Sequence, residues 1–298
     1  MMTRLLYGLD AVVLTKKDSE EIGRYYKNLL RQIQGLPKNV ATEVIYILAG
    51  KLPLQAEIDI RKLNLFGAIC RSENEKLKSL ATRQLSIDNN FSWFHDILEL
   101  CQEYNISLEA AISNPWRRQI WKKYIQETVR GKWTQEILEK MRNKSSMSMI
   151  DISNFKEKTP HDIWKSCISH PRLVTPTVTR AILLSGTYLT MERRAKFDKN
   201  ISAKCSLCCS GSTEDIAHFL IDCVALSKER DLGMQLLQKE GYTIPTNSVT
   251  AVKILLNGPK IQEVGENKWK AIHKIIANLC HSLHLARSSL IKNHNIHK

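Results

Sequence analysis

The chain has 298 residues, 43% hydrophobic and 25% charged, which is enough for about two packed domains and too apolar for a disordered chain. Its net charge of +14 favours a polyanionic partner, RNA and/or DNA. No apolar run is long enough to span a bilayer and no signal-peptide core precedes the first charged residues, so an intracellular protein without membrane contact is expected, the nucleus included, with its eight cysteines as thiols or metal ligands rather than disulfides.

Glycine and proline are scarce, and apolar residues recur at helical spacing along almost the whole chain, which predicts an all-α fold. The first helix is expected from Thr15 to Gln34, capped by Thr15 and Asp18 and stopped by Gly35. Ile22, Tyr25, Leu29 and Ile33 line one face of it, widened by Tyr26 and Leu30. Arg24, Lys27 and Arg31 recur at i, i+3 and i+7 on another face. That basic face reads either as a solvated surface or as a ridge that follows nucleic-acid phosphates.

Further helices are expected over 39–49, from Pro53 to Arg71, over 74–87, and from Ser92 with Trp93, Phe94, Ile97, Leu98 and Cys101 as core. Ser107 and Asn114 read as caps, with Pro115 at a first helical position. Trp116, Trp121 and Tyr124 interleave with Arg117, Arg118, Lys122 and Lys123; such a pattern can stack bases, but inward packing of the aromatics is the expectation. The Ser- and Asn-rich stretch 143–153 reads as a linker. Thr159-Pro160 and Thr175-Pro176 predict two short helix starts, and 191–197 another. Beyond a helix over 226–240, a long helix over 267–290 presents Ile272, Ile276, Leu279, Leu283, Ala286 and Leu290 for docking onto the chain's own core.

The densest chemistry lies between these helices. Cys205 and Cys208 form a C-x-x-C pair, which lets one tight turn aim two sulfurs at a single cation. His218 follows after nine residues and Cys223 after four more. Three thiols and an imidazole make a closed four-ligand set with no open position, the pattern of structural zinc; the competing reading is ordinary buried thiols. Thr213 is expected to cap the helix carrying Asp215, His218 and Phe219. Cys280 and His284, one turn apart, lack further ligands in view.

Signatures of catalysis are not found. There is no phosphate-cradling glycine loop, no G-x-S-x-G elbow, no H-E-x-x-H pair and no Asp-Asp pair for two-metal polymerase chemistry, so the chain is expected not to be an enzyme.

Two stretches resemble the C-terminal part of non-LTR (LINE-type) retrotransposon reverse transcriptases. Leu5-Leu6-Tyr7-Gly8-Leu9-Asp10-Ala11, then Leu30 to Pro37 and Ala49 to Leu54, are similar to the segment after the palm. Cys205, Cys208, Glu214, Asp215, His218, Phe219 and Cys223 are similar to the zinc-binding region of the same elements. The resemblance implies a helical thumb-like domain over 1–143, a linker with short helices over 144–200, a CCHC zinc region over 201–226 and a helical tail over 227–298. It implies that Arg24, Lys27 and Arg31 lie along nucleic-acid backbone, and that a separate reverse-transcriptase palm domain is a further partner. Fingers, palm and endonuclease residues are not recognised, so the sequence reads as a 3′ piece of such a reading frame. Three readings follow: a noncatalytic nucleic-acid-binding module, a subunit complementing a palm in trans through apolar surface near Leu5, Leu6 and Leu9, or an inactive remnant.

Overall fold

A computed structural model describes residues 6–87, 91–143, 147–153, 155–168, 170–245 and 247–296, with side chains described up to 293. Among these residues the fold is all-α, and the one strand-like feature is an isolated antiparallel bridge between Lys204 and Thr213. The chain divides into two compact units. One comprises residues up to Leu29 together with Leu52–Lys140, the other Leu30–Lys51 together with Met141 onward.

The first unit is built around α3 (Leu54–Cys70), which follows α1 (Lys16–Ile33) and α2 (Thr42–Ala49) in the chain. Ile58, Ile60, Leu63 and Phe66 of α3 are buried. They are covered by α4 (Glu75–Leu85), α5 (Trp93–Glu103) and α6 (Leu108–Ser113). The caps here follow from short polar side chains that take up free backbone N–H groups at helix starts. Asn74 accepts from the amides of Lys76 and Leu77, Ser92 from His95 and Ser107 from Ala110. Thr15 and Asp18 bond reciprocally at the start of α1. Asn114, however, ends α6, and α7 (Arg118–Arg142) begins three residues after Pro115. From α7, Trp121 donates its indole N–H to the Leu63 carbonyl at 3.0 Å. The approach is so close that a Cβ on Gly67 would lie 2.3 Å from that nitrogen. A buried chain of hydrogen bonds runs from Trp133 to the Tyr104 hydroxyl (2.9 Å) and on to Asp59 (2.6 Å), whose carboxyl burial raises to about 6.

The orientation of α1 corrects the sequence reading. Tyr26 is the buried residue, whereas Tyr25 is 56% and Ile33 70% exposed. Apolar residues from Tyr25 to Leu30 spread over an arc of about 140° on α1, too wide for spacing alone to choose the docked face. Ser19, which bonds Gln55 at 2.6 Å, and Tyr26 two turns later mark it. At the end of the helix Gln34 is buried in place of Ile33, bonding the Leu30 and Ile45 carbonyls. Of the three leucines expected to offer apolar surface near the start of the chain, Leu6 is buried, Leu9 is partly exposed and Leu5 lies outside the described residues; Tyr7 and Val12 beside them are exposed.

The second unit is organised on α14 (Glu266–Ile296), which packs on α9 (Val174–Leu184) and α11 (Ser227–Lys239). The expected seam is real: Ile272, Ile276, Leu279 and Leu283 are buried, as is Trp269. Pro176 lies inside the first turn of α9, because a 3₁₀ turn at Pro171–Leu173 starts the helix earlier than Thr175. Likewise α8 (Asp162–Lys165) is capped by His161, not Thr159. Gly50 ends α2 with φ +62, and a side chain there would collide with the Thr159 carbonyl. The expected linker is partly core: Met147 and Ile150 are buried, and the Asn257 side chain of α12 (Ser248–Asn257) clasps the backbone at Met149 and Asp151. Residues 144–146 lie outside the described residues.

His273 of α14 is fully buried. Its Nε2 donates to the Pro259 carbonyl at 3.1 Å, and its Nδ1 accepts from Arg180 at 3.1 Å. Burial first, and the adjacent guanidinium second, push its pKa down from 6.5 to about 2. The folded value is depressed, so the contribution of neutral His273 is complete above pH 6.5 and is lost as pH falls below it. The urea midpoint of this unit should therefore drop between pH 6.5 and 4, and His273→Gln should flatten that drop. An equal pH slope in the variant would remove His273 as its source.

Candidate metal centre

Cys205, Cys208, His218 and Cys223 converge: one ligand atom from each lies within 4.8 Å of all the others. Two short segments bring them together. The first is a turn closed by the Lys204–Thr213 bridge, in which the Cys205 amide donates to Ser212 O at 2.9 Å and the Glu214 amide to Ala203 O at 2.9 Å. The second is a π-helical turn over His218–Asp222, in which the Cys223 amide donates to the His218 carbonyl at 2.8 Å. That wide turn brings Cys223 back beside His218. Asp215, not Thr213, caps this segment, accepting from the His218 amide at 2.7 Å; Thr213 is committed to the bridge.

Two of the donor distances match the edges of a tetrahedral site. Zinc–sulfur bonds of about 2.3 Å imply tetrahedral edges of about 3.8 Å. The Cys205 and Cys223 sulfurs are 3.9 Å apart, and Cys208 Sγ is 3.4 Å from His218 Nε2. Cys209 is exposed and stands outside the cluster. Cys280 and His284 are not brought into any such group among the described residues; His284 Nδ1 instead meets the Tyr188 hydroxyl at 2.9 Å.

The thiols differ electrostatically. Burial raises Cys205 and drives Cys223 up to about 12. Burial also works to raise Cys208, but hydrogen bonds from the Ser210 hydroxyl and amide, with Cys205 and His218 behind them, pull it down to about 6. These directions favour the thiolate at Cys208 and the thiol at Cys205 and Cys223, so a divalent cation binding all three must displace protons from the latter two.

Glu214 and Phe219 belong to the stretch already singled out in the sequence, but their partners, and Arg230, had no signal in the spacing. Arg230 is buried, donating to the Leu220 carbonyl at 2.9 Å and the Cys223 carbonyl at 2.6 Å, which fixes the second ligand segment. Phe219 stacks on Tyr188 with ring centres 4.9 Å apart. Glu214 is 2% exposed and makes a two-point ion pair with Arg287 of α14, at 2.7 and 2.8 Å. The same carboxylate accepts from the amide of Met191 at the start of α10 (Met191–Ala195), at 2.7 Å. Opposite charges 73 residues apart carry no local pattern, so only the fold reveals this pair.

The other predicted residues lie on α1. Arg24 is exposed, and Lys27 and Arg31 are partly exposed. At 100° per residue the three fall within about 60° of one another, with Arg24 and Arg31 about 120–160° from Ser19 and Tyr26 and Lys27 about 80–100° from them. The aromatic–basic stretch divides: Trp121 is buried as expected, but Trp116 is 39% exposed beside exposed Arg117, Arg118, Lys122 and Lys123.

These features define an all-α protein with a Cys₃His cluster suited to a metal ion. No family model matches the chain, and neither a curated protein nor a solved structure is similar to it.

Metal loading near pH 7.5 should release about two protons per zinc, measured in weakly buffered solution, and affinity should fall with pH; no proton release would contradict the thiol assignments. Cys209→Ser should load normally and Cys208→Ser should not. Arg287→Met should cost about 3–5 kcal/mol in denaturant unfolding, because it strands the buried Glu214 carboxylate; a loss under about 1 kcal/mol would mean the pair is dispensable.

Proposed function

We propose that this protein is a noncatalytic nucleic-acid-binding module derived from the C-terminal part of a LINE-type reverse transcriptase. Zinc at Cys205, Cys208, His218 and Cys223 has a structural role in this reading. The observation that carries it is the convergence of those four side chains, the ligand order of the zinc region that the sequence resembles. A closed four-ligand site leaves no coordination position for a substrate, which suits a structural metal and not a catalytic one.

Two surfaces support binding to RNA and/or DNA. The Arg24, Lys27 and Arg31 face can neutralise successive phosphates, a contact that positions a backbone without reading its sequence. The exposed ring of Trp116, tilted against Tyr124 with centres 4.8 Å apart and flanked by four basic residues, offers a platform for an unpaired base. Tyr25, exposed on α1, adds a second aromatic surface.

Binding to a single-stranded RNA and to duplex DNA should be measured across a salt series. Arg24→Glu, Lys27→Glu and Arg31→Glu together should weaken binding and make the dependence of log affinity on log salt shallower by roughly two to three. Trp116→Ala should weaken single-strand binding by about 1–3 kcal/mol and spare the duplex. Unchanged salt dependence in the triple variant would take the α1 face out of the proposed function.

A further inference from the structure

In the first unit two arginines are brought together without a countercharge. Helices α3 and α7 meet in antiparallel order. Arg130 of α7 reaches Glu57 of α3 at 3.6 Å, and further along the pair the Trp121 indole donates to the Leu63 carbonyl at 3.0 Å. Trp121 also lies against Gly67, where a side chain would collide with the indole. One turn beyond Gly67 stands Arg71, which caps the end of α3, and one turn before Trp121 stands Arg118, the first residue of α7. As the α3 numbers rise the α7 numbers fall, so the next pair in the series is Arg71 with Arg118.

Neither guanidinium has an ion-pair or hydrogen-bond partner among the described residues. Burial lowers the Arg71 pKa, and the adjacent charge of Arg118 lowers it further, with no carboxylate acting in the opposite sense. The first turn of α7 holds no acidic residue. Arg118 is exposed and Arg71 partly exposed, so both groups are open to a ligand. Like charges side by side destabilise a fold, and an anion between them relieves the repulsion. Beside them lies the aromatic platform. The Trp116 ring is 6.3 Å from that of Trp121, the same indole that rests on Gly67, and 4.8 Å from that of Tyr124. An aromatic face and a pair of free guanidinium groups therefore share one end of the α3–α7 pair.

We propose that Arg71 and Arg118 clamp the phosphate of a nucleotide whose base stacks on Trp116, which makes this helix end a site for single-stranded nucleic acid. The clamp rests on the proposed role of Trp116 as a base platform and adds to it a residue from a second helix, outside the aromatic–basic stretch. A guanidinium presents parallel N–H donors that match two phosphate oxygens, and two of them on neighbouring helix ends can hold one phosphate between them. A base inside a duplex is already stacked on both faces, so only an unpaired strand can engage the ring and the clamp together. An internal phosphodiester and a terminal phosphomonoester share this chemistry, the terminal group carrying the larger charge.

The test uses the full chain, a short single-stranded RNA made with a 5′-hydroxyl or a 5′-phosphate, and a duplex DNA as reference. Arg71→Gln should weaken single-strand binding on the order of tenfold and make the dependence of log affinity on log salt shallower by about 0.7, one phosphate contact, while sparing the duplex. Arg71→Lys keeps the charge and loses the fork, so it should recover the salt dependence and only part of the affinity. In a Trp116→Ala background the loss from Arg71→Gln should shrink to about twofold or less, because base and phosphate are held together. The urea midpoint of Arg71→Gln should stay the same or rise, since one of two like charges is gone; a fall would make Arg71 a structural residue and overturn the clamp. A 5′-phosphate that strengthens binding in the wild type but not in Arg71→Gln identifies a terminal phosphate as the ligand, and equal binding of the two RNAs, both weakened by Arg71→Gln, identifies an internal one. Wild-type binding by Arg71→Gln while Trp116→Ala loses affinity would overturn the clamp and leave the base platform standing. Unchanged binding in both variants would remove the platform and the clamp together.

Discussion

The second unit depends on a junction where four ligand atoms, from Cys205 to Cys223, lie beside the buried Glu214–Arg287 ion pair. Glu214 sits between the two ligand segments, and its carboxylate is bound at two points by Arg287 and at a third by the Met191 amide. The cluster therefore does more than close its own loop. It holds in place the carboxylate that joins α10 to the long helix α14, while Phe219, next to the histidine ligand, packs on Tyr188. Removing a buried charge's partner costs more than the pair contributes. Glu214 and Arg287 consequently fix where the ligand segments lie, and the ligands fix where Glu214 lies. Two constraints that each need the other make the region cooperative, and a region of this size with almost no regular structure needs that support.

Much of this was legible in the sequence, for identifiable reasons. Helical periodicity and local caps act over three or four residues, so Thr15 with Asp18, Ser92 and Ser107 could be placed from spacing alone. The ligand set was legible because C-x-x-C is a local geometry with few other uses. What spacing could not decide was direction. On α1 the spacing put Tyr25 on the apolar face with Tyr26 at its edge, whereas Tyr26 is the one buried, on the side where Ser19 bonds Gln55. Thr213 looked like a cap because it precedes a helix, but the bridge to Lys204 claimed its backbone and Asp215 took the cap. Arg180, Arg230 and Arg287 were invisible as core residues. Arginine is ordinarily a surface residue, and its burial here rests on carbonyls and a carboxylate contributed from elsewhere in the chain.

The buried arginines and the surface cations divide the positive charge into two roles. Arg230 and Arg287 are consumed by structure, their donors satisfied by carbonyls or by Glu214. Arg24, Lys27 and Arg31, and the basic residues around Trp116, face solvent to differing degrees and remain available to a polyanion. A net charge of +14 therefore does not by itself measure binding capacity; where each cation points does. This separation also makes the proposed nucleic-acid surface dissectible, since its charges can be reversed without touching the core.

The central claim is that the four converging side chains hold a structural zinc ion. The most direct measurement is zinc content together with X-ray absorption at the zinc edge on the purified full chain. One zinc per chain with three sulfur ligands at about 2.3 Å and one nitrogen at about 2.0–2.1 Å is the predicted result. A well-folded chain without stoichiometric zinc, or a zinc shell dominated by oxygen, would contradict it.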